Sequence, residues 1–304
     1  MSDRVFYATR EVISQFKDAV RKEGPLSAIQ SAINHLVVSR RLRLFAQYRD
    51  FFRDRKGLEI GGPSQIFRSG QVIPIYPIAS RVDNCNYSEV TVWSEIQKRE
   101  ESQHPRNLGM TYVCEGSRLD FANDESYDFV LSSHTLEHMA NPIAALMEWR
   151  RILRYGGVLL LCVPHKSATF DHKRSVTSIE HMIEDYKSGT GEDDLAHLPE
   201  ILQLHDLSLD REAGSFEEFR SRSENNSANR CLHHHTFVTE SVVKLIDHAG
   251  LRILDIATYP PSSIIVLSEK SRQDSDFIHK SNEQFLQKGA SWRGRSDFSI
   301  DRKA

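Results

Sequence analysis

The sequence has little of what marks a membrane, secreted or nucleic-acid-binding protein. No uncharged apolar run approaches the ~18 residues that a membrane-spanning helix needs. The 39 Lys and Arg residues are balanced by 42 Asp and Glu residues, and the formal net charge of −3 gives no overall attraction to nucleic acid. Charged residues also interrupt the first twenty positions, so no secretory signal is visible. We therefore expect no membrane span and no nucleic-acid partner.

Cysteine is scarce, with four residues in the chain: Cys85, Cys114, Cys162 and Cys231. They lie far apart in the sequence and form no C-x-x-C motif. This pattern argues against a disulfide framework or a thiolate metal site. It indicates reduced, mostly buried thiols in a cytoplasmic protein.

The composition otherwise predicts an ordinary globular chain with one unusual feature. The 304 residues are 39% hydrophobic and 27% charged, enough for one large domain or two modest ones. Histidine stands out, because eight of the 14 histidines fall between His165 and His235.

Residues 1–56 have the apolar spacing of helices and predict a helical N-terminal extension. Within it, residues 39–56 form a basic amphipathic pattern. Such a helix either packs on the next domain with a solvated basic face or binds a membrane surface or an acidic partner. We favour packing on the next domain, with an oligomer interface as a further alternative for this helix.

From residue 57 the pattern changes to short apolar strands alternating with helices, which predicts a doubly wound, mostly parallel α/β sheet. Strands are predicted at 58–61, 81–83, 110–115, 127–133, 158–163, 251–257 and 262–268. Helices are predicted at 141–155, ending at Gly156 and Gly157, and at 239–249. The domain division is therefore 57–164 for an α/β core, 165–231 for a polar insertion after strand five, 232–268 for completion of the core and 269–304 for a loosely held polar tail.

Ligands of an open α/β sheet bind outside the carboxyl ends of its strands. The first predicted strand ends at Glu59, Gly61 and Gly62, where glycines permit close backbone approach. A helix N-terminus is expected to follow, with Pro63 as a possible first residue. The second ends at Asp83, whose carboxylate can accept both hydroxyls of a ribose, although it can also form a turn with Asn84.

Residues 57–164 contain, in this order, the motifs Leu119-Asp120-Phe121, Ser126-Tyr127-Asp128-Phe129-Val130, Leu136-Glu137-His138, Asn141-Pro142 and Arg151-Ile152-Leu153-Arg154-Tyr155-Gly156-Gly157. These ordered motifs resemble those of the class I S-adenosylmethionine-dependent methyltransferases of the type 11 group. His233-His234-His235-Thr236-Phe237, Glu240-Ser241 and Ala249-Gly250-Leu251 resemble the late part of such proteins. The resemblance implies a seven-stranded Rossmann-like sheet, S-adenosylmethionine as cofactor and methyl transfer as the reaction.

The resemblance also implies roles for individual residues in cofactor binding. Glu59, Gly61 and Gly62 match the glycine-rich turn, although Pro63 and Gln65 stand where the family usually has further glycines. Asp83 matches the ribose-binding acid, and Glu115 and Gly116 match the pair beside adenine. Ser133 and His134 match positions that line the reacting end of the cofactor.

The insertion 165–231 is predicted to fold over the cofactor site as a lid and to set acceptor specificity. Histidine is suited to removing a proton from an acceptor hydroxyl. His165 at the end of strand five is the first candidate base, followed by the alternating His233 and His235. Each of these can instead be structural or exposed, and Glu137 and His138 are expected to order the local helix.

A divalent metal site is an alternative use of the insertion's polar residues, which include Asp171, His172, His181, Glu184 and Asp185. Three adjacent histidines rarely serve one ion, because successive side chains diverge. We therefore expect no metal.

Three functions fit these observations. The favoured one is a methyltransferase acting on a small polar acceptor, such as a sugar or glycan hydroxyl. A nicotinamide-dependent oxidoreductase would have G-x-G-x-x-G after strand one and commonly Y-x-x-x-K, and the chain has neither. A non-catalytic or metal-binding protein on the same fold is the third.

Overall fold

The computed structural model describes residues 48–91 and 108–303. The predicted N-terminal helices lie almost wholly outside these residues. A helix was expected over 39–56, and the structure describes its last part, from residue 48. This part forms a 3-10 turn at 48–51, and a strand begins at Lys56. The helix prediction is therefore wrong for residues 52–56.

Seven strands form one sheet, as predicted. They are β1 (Lys56–Ile60), β2 (Arg81–Asn86), β3 (Leu108–Val113), β4 (Tyr127–Ser133), β5 (Leu153–Pro164), β6 (Arg252–Tyr259) and β7 (Ser263–Glu269). The order across the sheet is β3-β2-β1-β4-β5-β7-β6. Strands β1 to β5 pair in parallel, whereas β7 runs antiparallel to both β5 and β6. The mostly parallel α/β class is confirmed.

The described helices follow β4 and continue to the end of the chain. They are α1 (Pro142–Ile152), α2 (Ile179–Ser188), α3 (Leu198–Leu204), α4 (Phe216–Glu224), α5 (Asn226–Asn229), α6 (Thr239–His248), α7 (Ser275–Leu286), α8 (Ser291–Arg295) and α9 (Ser299–Lys303). Single 3-10 turns lie at Gln65–Phe67, Leu136–His138, Lys166–Ala168, Leu207–Leu209 and Arg211–Ala213. The insertion is thus largely helical rather than strand-forming.

The two faces of the sheet are covered differently. Alternate residues of β5 point to opposite faces, so Leu159 and Leu161 pack with helices α1 and α6, whereas Leu160 packs on the other side. That second face is covered by Phe52 and by apolar side chains of residues 67–79. No α-helix occurs in the segment 61–80. The expectation of a helix directly after β1 is wrong, and a 3-10 turn stands there.

Helix α1 begins where the sequence indicates and ends earlier. The Asn141 side chain accepts a hydrogen bond from the Ala144 N–H at 3.0 Å, and Pro142 occupies the first helical position. The helix ends at Ile152, and β5 starts at once. Gly156, expected to end the helix, lies instead where the pairing of β4 with β5 shifts register, and its φ of +78° is one that glycine tolerates.

The polar tail is folded against the domain, so the expectation of a loosely held segment is wrong. The Trp292 side chain is buried in the same core cluster as α6. Asn282 is also buried, and its side chain bonds the backbone of Ile253 at 2.8 Å and of Leu251 at 3.0 Å. These contacts between distant segments are not visible in the tail's own polar composition.

Candidate active site

A cavity of about 870 Å³ opens at the carboxyl ends of β1 to β5, where the sheet topology predicts a ligand site. This volume lies within the usual range for small-molecule sites. One side is formed by the strand ends and the turns that follow them. The other side is formed by residues of the insertion, among them Phe170, Glu192 and Arg222.

Glu59 shapes the turn after β1 rather than lining the cavity. Its buried carboxylate accepts hydrogen bonds from the Ser64 N–H at 3.0 Å and from the Tyr76 hydroxyl. Burial raises the pKa of Glu59, and these hydrogen bonds offset part of that effect. A Cβ at Gly62 would come within 2.4 Å of the same carboxylate oxygens, so the glycine there makes room for Glu59.

Gly61 and Gly116 line the cavity where a side chain would not fit. Gly61 has a φ of +82°, and a Cβ there would lie 2.1 Å from Oγ1 of Thr135. A Cβ on Gly116 would lie 2.5 Å from Cε of Met139 and 2.8 Å from Cγ2 of Ile60. Packing against these side chains therefore requires glycine at both positions, and both residues line the cavity.

Asp83 does not reach the cavity, which corrects its assignment to the ribose. Its buried carboxylate lies 2.6 Å from Nε of Arg81, 2.8 Å from the Met110 N–H and 3.0 Å from the Tyr127 hydroxyl. Strand β2 continues three residues beyond Asp83, to Asn86, which does line the cavity. The sequence pattern ended the strand too early.

The insertion contacts the ends of β2 and β3 through Arg230. Its guanidinium pairs with Glu115 and lies 5.4 Å from the centre of the Tyr87 ring. The Tyr87 hydroxyl donates to the Asn229 carbonyl at 2.9 Å. Glu115, predicted to lie beside adenine, therefore lines the cavity with its carboxylate already paired to a cation.

Two cysteines distant in sequence meet at this end of the cavity. Cys85 and Cys114 both line it, and their Sγ atoms lie 3.1 Å apart as free thiols. Burial and the contact with Cys114 raise the pKa of Cys85. Their separation in sequence concealed this pair.

Three polar side chains from the end of β4 and the turn after it lie inside the cavity. Ser133 and His134 line it as predicted, and His134 also contacts the Ser263 hydroxyl at 3.1 Å. Glu137 is buried, and neither of its carboxylate oxygens has a hydrogen-bond partner among the described residues. Burial raises the pKa of Glu137 to about 7 and lowers that of His134 to about 4.

His233 is held at the cavity by Asp171. Its Nδ1 lies 2.5 Å from Oδ2 of Asp171, and Arg174 binds the other oxygen of the same carboxylate at 3.0 Å. Burial alone would lower the pKa of His233, but the contact with Asp171 outweighs it and the pKa is raised. Burial alone would raise the pKa of Asp171, but its contacts with His233 and Arg174 lower it to about 2. The arrangement directs Nε2 of His233 away from Asp171.

The other two predicted catalytic histidines do not line the cavity. His165 is fully buried, stacks on Phe298 and contacts Asp301, so it joins the strand end to the tail. His235 is also buried, and its Nε2 lies 3.1 Å from the Ala140 carbonyl. Alternation along the chain did not bring His233 and His235 into the same pocket.

Several cavity residues were not foreseen, or were expected to serve only local structure. Glu137 and His138 both line the cavity, although they were expected only to order the local helix. Their place in the Leu136-Glu137-His138 motif, directly after β4, could have indicated from the sequence that they line the cavity. Arg230, which lines the cavity, carried no such signal, because its partner Glu115 lies far away in the sequence. Asp171 was considered only as a metal ligand, and its contact with His233 was not foreseen.

Two groups of side chains in the described residues bring metal-ligand atoms within 4.8 Å of one another. The first, Glu137, His138 and His233, lies in the cavity. The second, His181, His197 and His235, contains no cavity-lining residue.

Part of the chain matches a known protein family. Residues 69–161 match the family model of the methyltransferase domain. A S-adenosylmethionine-dependent methyltransferase from Aquifex aeolicus is 11% identical, with 75% of this chain and 88% of that chain covered and a TM-score of 0.42. A corresponding enzyme from Mesorhizobium loti is 11% identical, with coverage of 75% and 97% and a TM-score of 0.42. No curated protein matches the sequence.

A third solved structure is the 1,6-didemethyltoxoflavin-N1-methyltransferase of Burkholderia thailandensis, with 1,6-didemethyltoxoflavin and S-adenosylhomocysteine bound. It is 13% identical, covers 89% of this chain and 92% of its own, and gives a TM-score of 0.42.

The family match over residues 69–161, the ordered motifs and the sheet topology support an S-adenosylmethionine-dependent methyltransferase domain within this chain. The cavity fits this cofactor, because its volume of about 870 Å³ and its place at the carboxyl ends of the parallel strands suit a nucleoside ligand. Within the residues described, no helix has the length and apolar character needed to cross a membrane.

Proposed function

We propose that the enzyme methylates a small polar acceptor, such as a sugar or glycan hydroxyl, with His233 as the general base. The observation that carries this proposal is the His233–Asp171 pair at the cavity wall. A carboxylate on Nδ1 fixes the imidazole tautomer and leaves Nε2 as the proton acceptor. When bound, S-adenosylmethionine supplies an electrophilic methyl group, so the chain must mainly position the acceptor and accept its proton.

The polar lining contributed by the insertion supports a hydrophilic acceptor. Glu192, Asp210, Glu212, Arg222 and Arg230 all line this side of the cavity. Charged and hydrogen-bonding groups in a pocket favour ligands that replace their water contacts, and disfavour an alkyl chain that leaves them unpaired.

For the cofactor, we propose that the Gly61 turn, Asn86, Glu115 and Gly116 contact the nucleoside, while Ser133 and His134 lie near the reacting end. Asn86 takes the place proposed earlier for Asp83. Its Nδ2 donates to the Gly62 carbonyl at 3.0 Å, which holds the amide at the end of β2.

The acceptor class is tested with methyl-labelled S-adenosylmethionine and cell extract separated into polar small molecules, saccharides, lipids and macromolecules. Calorimetry first compares S-adenosylmethionine with NAD, and only the former is expected to bind. Label is expected in the polar or saccharide fraction. Label confined to lipid or protein would refute the acceptor class without affecting the cofactor assignment.

One observation favours a second way of activating the acceptor. Because Glu137, His138 and His233 bring ligand atoms within 4.8 Å, they suit a divalent ion that polarises the acceptor oxygen. Loss of methyl transfer in EDTA, with recovery on addition of Mg²⁺, Mn²⁺ or Zn²⁺, would favour this mechanism over a metal-free base.

A further inference from the structure

A second histidine cluster lies apart from the cavity lining, where the insertion meets the start of α1. His181 and Asp185 are one turn apart on α2, His197 precedes α3, and His235 lies before α6. None of these four side chains lines the cavity. We propose that they form a structural zinc site with three nitrogen ligands and one oxygen ligand.

The separations suit one small ion. Nε2 of His181 lies 3.0 Å from Nε2 of His197 and 3.4 Å from Oδ2 of Asp185. One ligand atom from each of the three histidines lies within 4.8 Å of the others. A tetrahedral zinc ion with bonds of about 2.0–2.1 Å places its ligand atoms roughly 3.3 Å apart. Asp185 lies outside that group of three, and its Oδ2 is 3.9 Å from Nε2 of His235. Binding of the ion therefore requires side-chain rotation that brings this carboxylate and the 45% exposed His181 into one shell.

Two members of the cluster, the buried His235 and the half-buried Asp185, each carry a buried acceptor atom that has no hydrogen bond among the described residues. Nε2 of His235 donates to the Ala140 carbonyl, which leaves Nδ1 as a buried acceptor with no hydrogen bond. Oδ1 of Asp185 accepts from the Thr190 hydroxyl at 3.2 Å, whereas its buried Oδ2 has no hydrogen-bond donor. Unmade hydrogen bonds at buried acceptors are costly, and a bound cation would satisfy both atoms.

The surroundings also resemble the outer shell of a metal site. A ligating histidine characteristically donates its other ring N–H to a carbonyl, as His235 does to Ala140. The Asn141 side chain donates to the Asp185 carbonyl at 3.1 Å, so α2 is held against the N-terminus of α1. Three imidazoles and a carboxylate are ligands that zinc accepts, and four protein ligands characterise its structural sites.

The ion would fix one wall of the cavity. The segment between Asp185 and His197 carries Glu192, which lines the cavity and accepts the Ala140 N–H at 3.2 Å. Among the described residues, the small apolar cluster at the insertion is formed by its Ile201, Ala213 and Phe219 together with the adjoining Leu232. A metal crosslink would therefore supply order that this small core does not.

The test uses the untagged full chain, so that no added histidines bind metal. Metal-free protein is titrated with Zn²⁺ against a chromophoric chelator, and Co²⁺ is used to record the visible spectrum of a tetrahedral site. We compare the wild type with H181N/H197N and with a control double variant, H172N/H279N, which removes two histidines outside the cluster. H138N examines the cavity triad.

We expect one tightly bound Zn²⁺ in the wild type, in H172N/H279N and in H138N. In H181N/H197N, affinity should fall at least about 100-fold, the upper end of the loss expected when even an outer-shell partner is removed. Thermal unfolding in excess chelator should show similar midpoints for H181N/H197N and wild type, which separates ligand loss from misfolding. The proposal would be overturned if H181N/H197N bound zinc as tightly as wild type, or if only H138N lost zinc. It would also be overturned if the wild type bound no zinc tightly.

Discussion

Nε2 of His165 lies 3.3 Å from Oδ1 of Asp301, so the end of β5 is joined to the last helix of the described chain. The other oxygen of Asp301 accepts hydrogen bonds from the Thr239 and Ser296 hydroxyls at 2.5 and 2.6 Å. Phe298 stacks on the His165 ring with centroids 3.9 Å apart. His165 was predicted to be catalytic from its position at the end of strand five, and it instead anchors the C-terminal segment.

This role predicts that His165→Asn destabilises the fold and leaves the chemistry nearly intact. Removing one partner of a buried hydrogen-bonded pair costs about 1–3 kcal/mol. Urea unfolding should show that loss in the free energy of unfolding, while kcat for methyl transfer stays within a few-fold of wild type. A large fall in kcat with unchanged stability would restore His165 as a catalytic candidate.

The buried carboxylate of Asp301 should make the free energy of unfolding depend on pH. Burial alone would raise its pKa, but the hydrogen bonds from His165, Ser296 and Thr239 outweigh burial and hold the pKa below its usual range. A carboxyl with a depressed folded-state pKa stabilises the fold above its unfolded pKa, and that contribution disappears as the pH falls through the folded pKa. The stability gap between wild type and Asp301→Asn should therefore be constant at neutral pH and shrink below about pH 4. A gap unchanged down to pH 2 would contradict this account.

The sheet was predictable from sequence where burial alone decides the pattern. Strand β4 was predicted with its observed bounds, since most of its residues are buried. Strand β2 was predicted three residues too short, because Asn84 and Asn86 have low strand propensity. Their side chains instead bond the Gly62 carbonyl at 2.7 and 3.0 Å, a tertiary contact that outweighs that propensity.

The site was less predictable than the fold, because its side chains meet through contacts between distant segments. His233 depends on Asp171, which is 62 positions away. The tail is held through Asp301, which lies 136 positions from His165. Residue spacing along one element contains no information about such partners, whereas the order of the family motifs did locate Ser133 and His134 at the cavity.

The revised position of Asp83 leads to a stability prediction. Asp83→Asn removes a charge that faces Arg81 and Lys56 and changes the hydrogen bond with Tyr127. The variant should lose about 1–3 kcal/mol of unfolding free energy while its affinity for S-adenosylmethionine remains unchanged. Asn86→Ala should show the reverse pattern. Calorimetry and urea unfolding on both variants distinguish them, and weaker cofactor binding by stable Asp83→Asn would reinstate the ribose role.

Gly61 leads to a prediction with a matched control elsewhere in the chain. Gly61→Ala places a Cβ 2.1 Å from Oγ1 of Thr135 at a φ of +82°, so the turn must move. We expect cofactor affinity to fall at least about tenfold, since backbone strain of this kind costs about 1–3 kcal/mol. Gly289→Ala adds a methyl group with no atom within 4 Å and should leave binding unchanged. Equal affinities for the two variants would show that the turn does not contact the cofactor.

The proposed base predicts a separation between catalysis and cofactor binding. His233→Gln removes the imidazole opposite Asp171 and should lower kcat by about 10²–10⁴-fold, the usual contribution of a general base. Asp171→Asn removes the charge that positions His233 and should lower kcat by a smaller factor. Both variants should bind S-adenosylmethionine with wild-type affinity by calorimetry, because neither residue is assigned to the nucleoside. A His279→Gln variant serves as the control, since its exposed imidazole pairs with Asp247 and does not line the cavity. If His233→Gln retained full kcat, or if His279→Gln lost as much as His233→Gln, the base would have to be sought elsewhere in the cavity.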